Sequence, residues 1–278
     1  MDLPDDFQFS QKSLQDYVDC KRRFLLRYVM GITWPAIETE PVLENERIIQ
    51  LGAEFHHLVH QHLLGIPEVQ LHGLIHDEEL RRWWKSYLDF AGSMLEEDES
   101  RYPEIKISAP IEETRMVAKL DLLQAKTDGR WILFDWKTYR KRPKRQWLAE
   151  RLQTHVYPYL LVRSGIAFNQ GKSIEPEMVQ MVYWFAGFPE QLEEFCYDRK
   201  QFNTDHAFLT KLVQEISNLN EAGFALTPDA VRCRFCVYRS LCDRGVKAGE
   251  LDEIGDIFDP ETTSEVEIDF DQIDEIEF

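Results

Sequence analysis

Residues 120–143 read LDLLQAKTDGRWILFDWKTYRKRP. Two apolar runs, LDLLQA and WILF, flank the turn signal KTDGR, a pattern that predicts an antiparallel hairpin. Asp121 lies in the first run, and Asp135 and Lys137 close the second. Strand side chains alternate between faces with period two, so the loop length decides which charged groups share a face. A two-residue turn of Asp128 and Gly129 pairs Asp121 with Trp136 and sends the carboxylates to opposite faces. A three-residue loop of Thr127, Asp128 and Gly129 places Gly129 at the left-handed third position that such loops favour. That loop sets Asp121 opposite Asp135, on one face, and is the expected register. Lys137 then projects on the same side. Trp136 points to the other, apolar side, although its backbone carbonyl can still face a metal ion.

Carboxylates from neighbouring strands are hard oxygen ligands of the kind that suit magnesium or manganese. Hydrolysis of a phosphodiester needs an activated water and neutralisation of charge on the phosphoryl oxygens, and divalent ions held by carboxylates supply both. A lysine beside them can orient the water and stabilise the developing charge. The plainer reading of Asp135 and Lys137 is a surface ion pair on an edge strand. Against it, WILF makes the strand look buried, and buried charges need partners.

Outward from the hairpin, helical and strand patterns alternate, which points to an α/β fold. Helices are expected from Ser13 to Gly31, with Ser13 and Asp16 approximating a capping box, from Glu44 to Leu64, and from Asp77 to Leu95. Trp83 and Trp84 fall on the apolar face of the third. A helix from Arg145 to Val162 carries Gln153 and Tyr157 four apart on one face, and Pro158 should kink it. EMVQMVYWFAG (177–187) and QLEEFCYDRK (191–200) read as strands, and Asn203–Ala222 as a further helix. The second helix holds His56, His57, His60 and His62. His56 and His60, four apart, could chelate zinc alone. No HExxH order is present, which excludes a metalloprotease of that type.

Four cysteines form a split pattern: Cys20 near the start, then Cys233, Cys236 and Cys242 within CRFCVYRSLC. Four thiolates can ligate zinc or an iron–sulfur cluster, and spacing alone does not separate the two. Cys196, alone on a strand, reads as a small core residue. The amino terminus is acidic and polar, and no apolar run is long enough to cross a bilayer, so no membrane partner is expected. The expected compartment is the cytoplasm, where clustered cysteines serve as metal ligands rather than disulfides.

Net charge is −18, but thirteen of the fifty acidic residues follow Val246. Residues 1–246 therefore read as one domain and 247–278 as an acidic, disordered tail. The tail, which ends EVEIDFDQIDEIEF, can solubilise the chain, dock on a partner as a strand, or occupy a basic cleft as a mimic of DNA. If it is a mimic, deletion after Val246 raises activity. A basic stripe directly follows the acids. Arg140, Lys141, Arg142, Lys144 and Arg145 are candidate phosphate contacts, and Tyr139 and Trp147 could stack on unpaired bases. A solvated basic loop is the plainer alternative.

Asp121, then Asp135-Trp136-Lys137, then Gln153-x-x-x-Tyr157 resembles the PD-(D/E)XK nuclease superfamily, in the branch containing the RecB nuclease domain. That branch has a histidine in a Gly-x-x-apolar-His context, matched here by Gly52-Ala53-Glu54-Phe55-His56. The resemblance implies His56 as a metal ligand beside Asp121 and Asp135. It also implies that Gln153 and Tyr157 line the cleft, supporting Lys137 or touching DNA. SLQDYVDCKRRFLLRYV and CRFCVYRSLC are similar to the iron-binding staple of AddB-type nucleases and CRISPR-associated RecB-like exonucleases, with Lys21 where many relatives have proline. Over residues 10–243 the resemblance implies a restriction-endonuclease-like core with a mixed central sheet flanked by helices. It further implies a [4Fe–4S] cluster, rather than zinc, on Cys20, Cys233, Cys236 and Cys242, stapling the N- and C-terminal segments. The implied activity is Mg2+- or Mn2+-dependent DNA hydrolysis, as an exonuclease on single-stranded or frayed DNA. Repair, recombination and CRISPR adaptation use such modules, with helicases or CRISPR integration proteins as partners. The alternative is a non-catalytic iron–sulfur subunit that holds DNA in a larger complex; the intact Asp121, Asp135 and Lys137 weigh against it.

Overall fold

The computed structural model describes residues 3–4, 6–32, 42–94, 100–220, 223–234 and 236–245. The acidic tail expected after Val246 lies outside them. In chain order the elements are β1 (Gln8–Ser10), α1 (Gln11–Asp19), α2 (Lys21–Phe24), a π-helical turn (Leu25–Val29), α3 (Val42–Leu63), α4 (Glu68–His72) and α5 (Glu78–Met94). There follow β2 (Ser100–Ile111), β3 (Thr114–Ala125), β4 (Trp131–Lys137), α6 (Arg145–Glu150), α7 (Leu152–Ser164), β5 (Val179–Phe185), β6 (Glu193–Cys196) and α8 (Arg199–Ser217). Among the described residues no helix is long and apolar enough to cross a membrane.

The sheet is mixed and has six strands. β2 pairs antiparallel along the whole of β3, whose other edge is shared: β1 lies parallel to Arg115–Val117, and β4 antiparallel to Leu122–Ala125. β5 continues parallel to β4 and β6 closes the edge. The β4–α6–α7–β5 connection is the crossover that a parallel pair requires. Alternation in β4 divides the core in two. Trp131 and Leu133 join α1, α7 and α8 on one face, while Ile132, Phe134 and Trp136 join α3 and α5 on the other. This is the mixed α/β architecture, with helices flanking a central sheet, that is consistent with a restriction-endonuclease-like core. Trp83 and Trp84 are buried in it, as their helical spacing indicated.

Three expectations need correction. The first helix does not run on from Ser13. Ser10 caps it, its Oγ accepting the Ser13 N–H at 3.1 Å while Ser13 Oγ accepts the Ser10 N–H at 2.9 Å. The helix then breaks at Cys20, which is extended at φ −161°. Buried Asp16 explains the break, because Arg23 and Arg27 both pair with it, at 2.8 and 2.7 Å. An uninterrupted helix would carry Arg27 about 16 Å along the axis from Asp16, beyond reach. The helix expected from Arg145 breaks at Arg151 and then continues through Pro158. The new first turn is capped from outside, as Gln15 Oε1 accepts the Leu152 N–H at 3.1 Å. Cys196 is exposed rather than in the core. On the edge strand β6 it shares the outward face with Glu194, while Glu193 and Phe195 turn inward.

Candidate functional site

The loop between β3 and β4 decides the site, and it has three residues. The Lys126 N–H donates to Arg130 O at 2.8 Å, the Gly129 N–H to Lys126 O at 3.0 Å, and Gly129 sits at φ +88°. The ladder runs from Ala125–Trp131 to Leu122–Phe134, and one further step sets Asp121 opposite Asp135. The ladder stops there because the strands part: the Trp136 N–H donates to Asp121 Oδ2 at 2.8 Å instead of to a backbone carbonyl. Residues 118–121 of β3 fall between the stretches taken by β1 and by β4. The sheet therefore opens beside Asp121, and a cavity of about 790 Å³ fills the gap.

Asp121, Asp135, His56, Gln153 and Tyr157 all line this cavity. His56 reaches it from α3, on one layer of helices, with Nδ1 3.4 Å from Asp121 Oδ1. Burial works against ionisation of Asp121, but His56, the Trp136 N–H and the Lys137 charge outweigh it and hold the carboxyl below the usual carboxylate range. Asp135 is 2% exposed and Lys137 is 1% exposed. Asp135 Oδ2 lies 2.9 Å from Lys137 Nζ, and Oδ1 accepts a hydrogen bond from Gln153 of α7. Gln153 thus holds Asp135, and Tyr157, one turn further, forms part of the wall.

Sequence reasoning missed Glu104. β2 starts at Ser100 and carries Glu104 opposite Asp121, between the pairs Pro103–Leu122 and Ile105–Leu120. Glu104 has φ +52°, a conformation that costs a non-glycine residue free energy and clusters at functional sites. It is ion-paired to Lys119. Ligand atoms of His56, Glu104 and Asp121 lie within 4.8 Å of one another, two carboxylates and an imidazole that fit a divalent cation. Asp135 lines the same space but is held by Lys137 and Gln153. Of the competing histidines, His57 and His60 also line the cavity. His62 turns away to Tyr87 Oη at 3.1 Å, where burial lowers its pKa.

Close approach of α3 to β4 depends on Gly52. A Cβ there would come within 2.9 Å of Thr138 Oγ1, next to Lys137. Gly52→Ala is expected to cost about 1–3 kcal/mol by overpacking, measurable by urea denaturation, and to displace His56 from Asp121. The same variant should lose metal affinity in a Mn2+ titration.

The basic stripe lies apart from the cavity. Arg142 and Arg145 both pair with buried Glu193, Arg145 Nη1 at 2.6 Å, and Arg145 also donates to Glu194 O at 2.7 Å. Arg140 lies 3.6 Å from Glu79. None of Arg140, Lys141, Arg142, Lys144 and Arg145 lines the cavity; Lys12, Lys106 and Lys119 do. Tyr139 is buried against Trp147 and Phe185, which removes it as a surface for unpaired bases.

The segments that carry the cysteines meet from opposite ends of the chain. Cys20 stands at the α1–α2 break, and the segment carrying Cys233, Cys236 and Cys242 is laid against it. The Arg22 N–H donates to Ala225 O at 3.2 Å, Arg232 pairs with Asp19, and Tyr238 Oη donates to Ile32 O at 2.7 Å. The Cys242 thiol is pushed up to about 11 by burial and by its neighbours Cys236, Cys20 and Cys233.

Among curated proteins nothing matches this chain. The solved structure of SSO0001 is similar over 86% of this chain and 86% of its own, at 13% identity and a TM-score of 0.43. A protein from Eubacterium rectale named "Putative exonuclease" is similar over 75% of this chain and 79% of its own, at 8% identity and a TM-score of 0.45. A family model describing the PD-(D/E)XK nuclease superfamily matches residues 8–243, most of the chain and every residue of the site. The chain belongs to the PD-(D/E)XK nuclease superfamily.

Proposed function

We propose that this protein is a divalent-metal-dependent deoxyribonuclease that degrades single-stranded or frayed DNA from an end. The observation that carries this reading is the convergence of His56, Glu104 and Asp121 in one cavity with the buried Asp135–Lys137 pair. Mg2+ or Mn2+ would be held by His56, Glu104 and Asp121, with Asp135 and the Trp136 carbonyl as further donors. When bound, the ion polarises the phosphoryl oxygen and lowers the pKa of water. Lys137 orients the attacking water and offsets charge that develops on the phosphoryl group. Gln153 keeps Asp135 in place, and Tyr157 shapes the wall against which the scissile nucleotide rests. The cavity is of ligand-pocket size, which favours one strand over a duplex. The exposed cations of the 140–145 loop would contact DNA outside it.

Cys20, Cys233, Cys236 and Cys242 would hold a [4Fe–4S] cluster, whose role is structural: it ties α1 to the C-terminal segment across the whole nuclease domain of residues 1–246. Zinc is the other occupant that four thiolates accept. A cytoplasmic site of action, and service in repair, recombination or CRISPR adaptation beside a helicase or integration protein, rest on the family resemblance.

The test is labelled single-stranded DNA, with 5′ or 3′ ends free or blocked, incubated with Mn2+. Wild type is expected to cut from a free end and to lose activity on chelation. Cutting that ignores both blocks would remove the exonuclease reading, and no cutting with any divalent metal would favour the non-catalytic DNA-holding subunit.

A further inference from the structure

Each carboxylate of the site has a partner of its own. Asp121 has His56 Nδ1 at 3.4 Å and the Trp136 N–H at 2.8 Å, and Asp135 has Lys137 Nζ at 2.9 Å together with Gln153. Glu104 has Lys119, which stands two positions from Asp121 on the same face of β3. The three arrangements differ in what an arriving cation meets. Lys137 is 1% exposed, and drawing it away from Asp135 would strand a buried charge. His56 is itself a ligand, so an ion joins it beside Asp121. The Lys119 side chain is 49% exposed on a flexible stem, so its ammonium can turn into water at little cost. Glu104 is fixed by the backbone, its φ of +52° falling between the ladder pairs Pro103–Leu122 and Ile105–Leu120. Its carboxylate is thereby held within 4.8 Å of the ligand atoms of His56 and Asp121. A divalent ion on Glu104 brings two positive charges beside the ammonium, and their repulsion opposes joint occupancy of one carboxylate.

We infer that Lys119 is an internal competitor of the metal ion: its ammonium and a divalent cation are alternative partners of the Glu104 carboxylate, so that Lys119 sets the metal concentration at which the site fills. The inference deepens the metal-site reading and rests on it, but it concerns binding and can be measured without substrate. Carboxylates that face each other across a strand pair repel, as Glu104 and Asp121 do, and the Lys119 ammonium offsets that repulsion. A partly exposed ion pair is weak, which is what a displaceable partner requires.

The experiment is a titration of the full chain with Mn2+, free Mn2+ being read by electron paramagnetic resonance. Lys119→Gln is expected to bind Mn2+ about three- to tenfold more tightly than wild type, since it loses both the competing pair and one positive charge. Lys119→Arg keeps the cation and should stay within about twofold of wild type. In a Glu104→Gln background the gain from Lys119→Gln should shrink, because coupling through a shared partner disappears with that partner. Lys106→Gln removes an equal charge from the same wall, directly opposite Lys119, and should gain less than Lys119→Gln. Circular dichroism checks the fold; if Lys119→Gln loses it, Lys119→Met is read with the same expectation. Wild-type or weaker affinity in the folded variant overturns the competition. So does a gain that Lys106→Gln equals, or one that survives undiminished without Glu104. Cleavage with Mn2+ is scored on the same preparations. A Glu104-dependent gain in affinity without cutting by wild type leaves the competition standing and removes the nuclease reading; cutting by wild type with unchanged affinity in Lys119→Gln removes the competition alone. No Mn2+ bound by wild type overturns both.

Discussion

Asp135→Ala is expected to abolish cleavage and, in the same protein, to lower the free energy of unfolding by about 3–5 kcal/mol. Both effects follow from one contact. Lys137 is 1% exposed, and its ammonium lies 2.9 Å from Asp135 Oδ2. Removing the carboxylate leaves a desolvated cation without its ion-pair partner, and it also frees Gln153 from the group it holds. Lys137→Met keeps the volume but removes the charge that the proposed mechanism sets against the phosphoryl group, so cleavage should fall by about 10²–10³. The informative variant is Asp135→Leu/Lys137→Met. Replacing a buried ion pair by apolar groups of similar volume is often neutral or stabilising, so this protein should recover most of the lost stability while remaining inactive. Urea denaturation and Mn2+-dependent cleavage measure the two quantities separately. A double variant that unfolds as readily as Asp135→Ala would mean that the pair is structural, and retained cutting in either variant would remove Asp135 and Lys137 from the chemistry.

Cys20→Ser is expected to bleach the visible absorbance of the purified protein and to cost about 5 kcal/mol of stability. The estimate is the loop-closure entropy of a cross-link from Cys20 to Cys233, which restricts the unfolded chain more as the loop lengthens. Besides the cysteines, the Cys20 region meets the C-terminal segment through Arg232–Asp19, Arg22–Ala225 and Tyr238–Ile32 and through Phe24 stacked on Phe224, contacts that Cys20→Ser leaves in place. Cys196→Ser, exposed on the edge strand, should change neither absorbance nor stability. Equal behaviour of the two variants would dismiss the staple, and a colourless wild type carrying stoichiometric zinc would assign the thiolates to zinc.

The hairpin was legible from residues 120–143 alone, because side-chain alternation and the left-handed demand of Gly129 leave one register that brings two acids to one face. That logic is local: it needs no knowledge of what packs on the strands. The apolar face of α5 and the burial of Trp83 and Trp84 followed from periodicity in the same way. The grouping of the four cysteines rests on their spacing and on the family resemblance, and the absorbance of Cys20→Ser tests it.

What stayed hidden was decided by pairing and charge at a distance. Glu104 joins the site because β2 lies in register against β3, and nothing in its own neighbourhood distinguishes it from any other acid after a proline. The break at Cys20 serves the buried carboxylate of Asp16, and the break at Arg151 leaves an amide that Gln15 meets from another helix. Glu193, far along the chain, takes Arg142 and Arg145 out of the basic stripe, and the lysines that line the cleft instead are scattered over α1, β2 and β3. Periodic burial is written in consecutive residues and so can be read from them. Which ion finds which counter-ion depends on where the folded chain sets groups remote in sequence, and only the tertiary structure decides that.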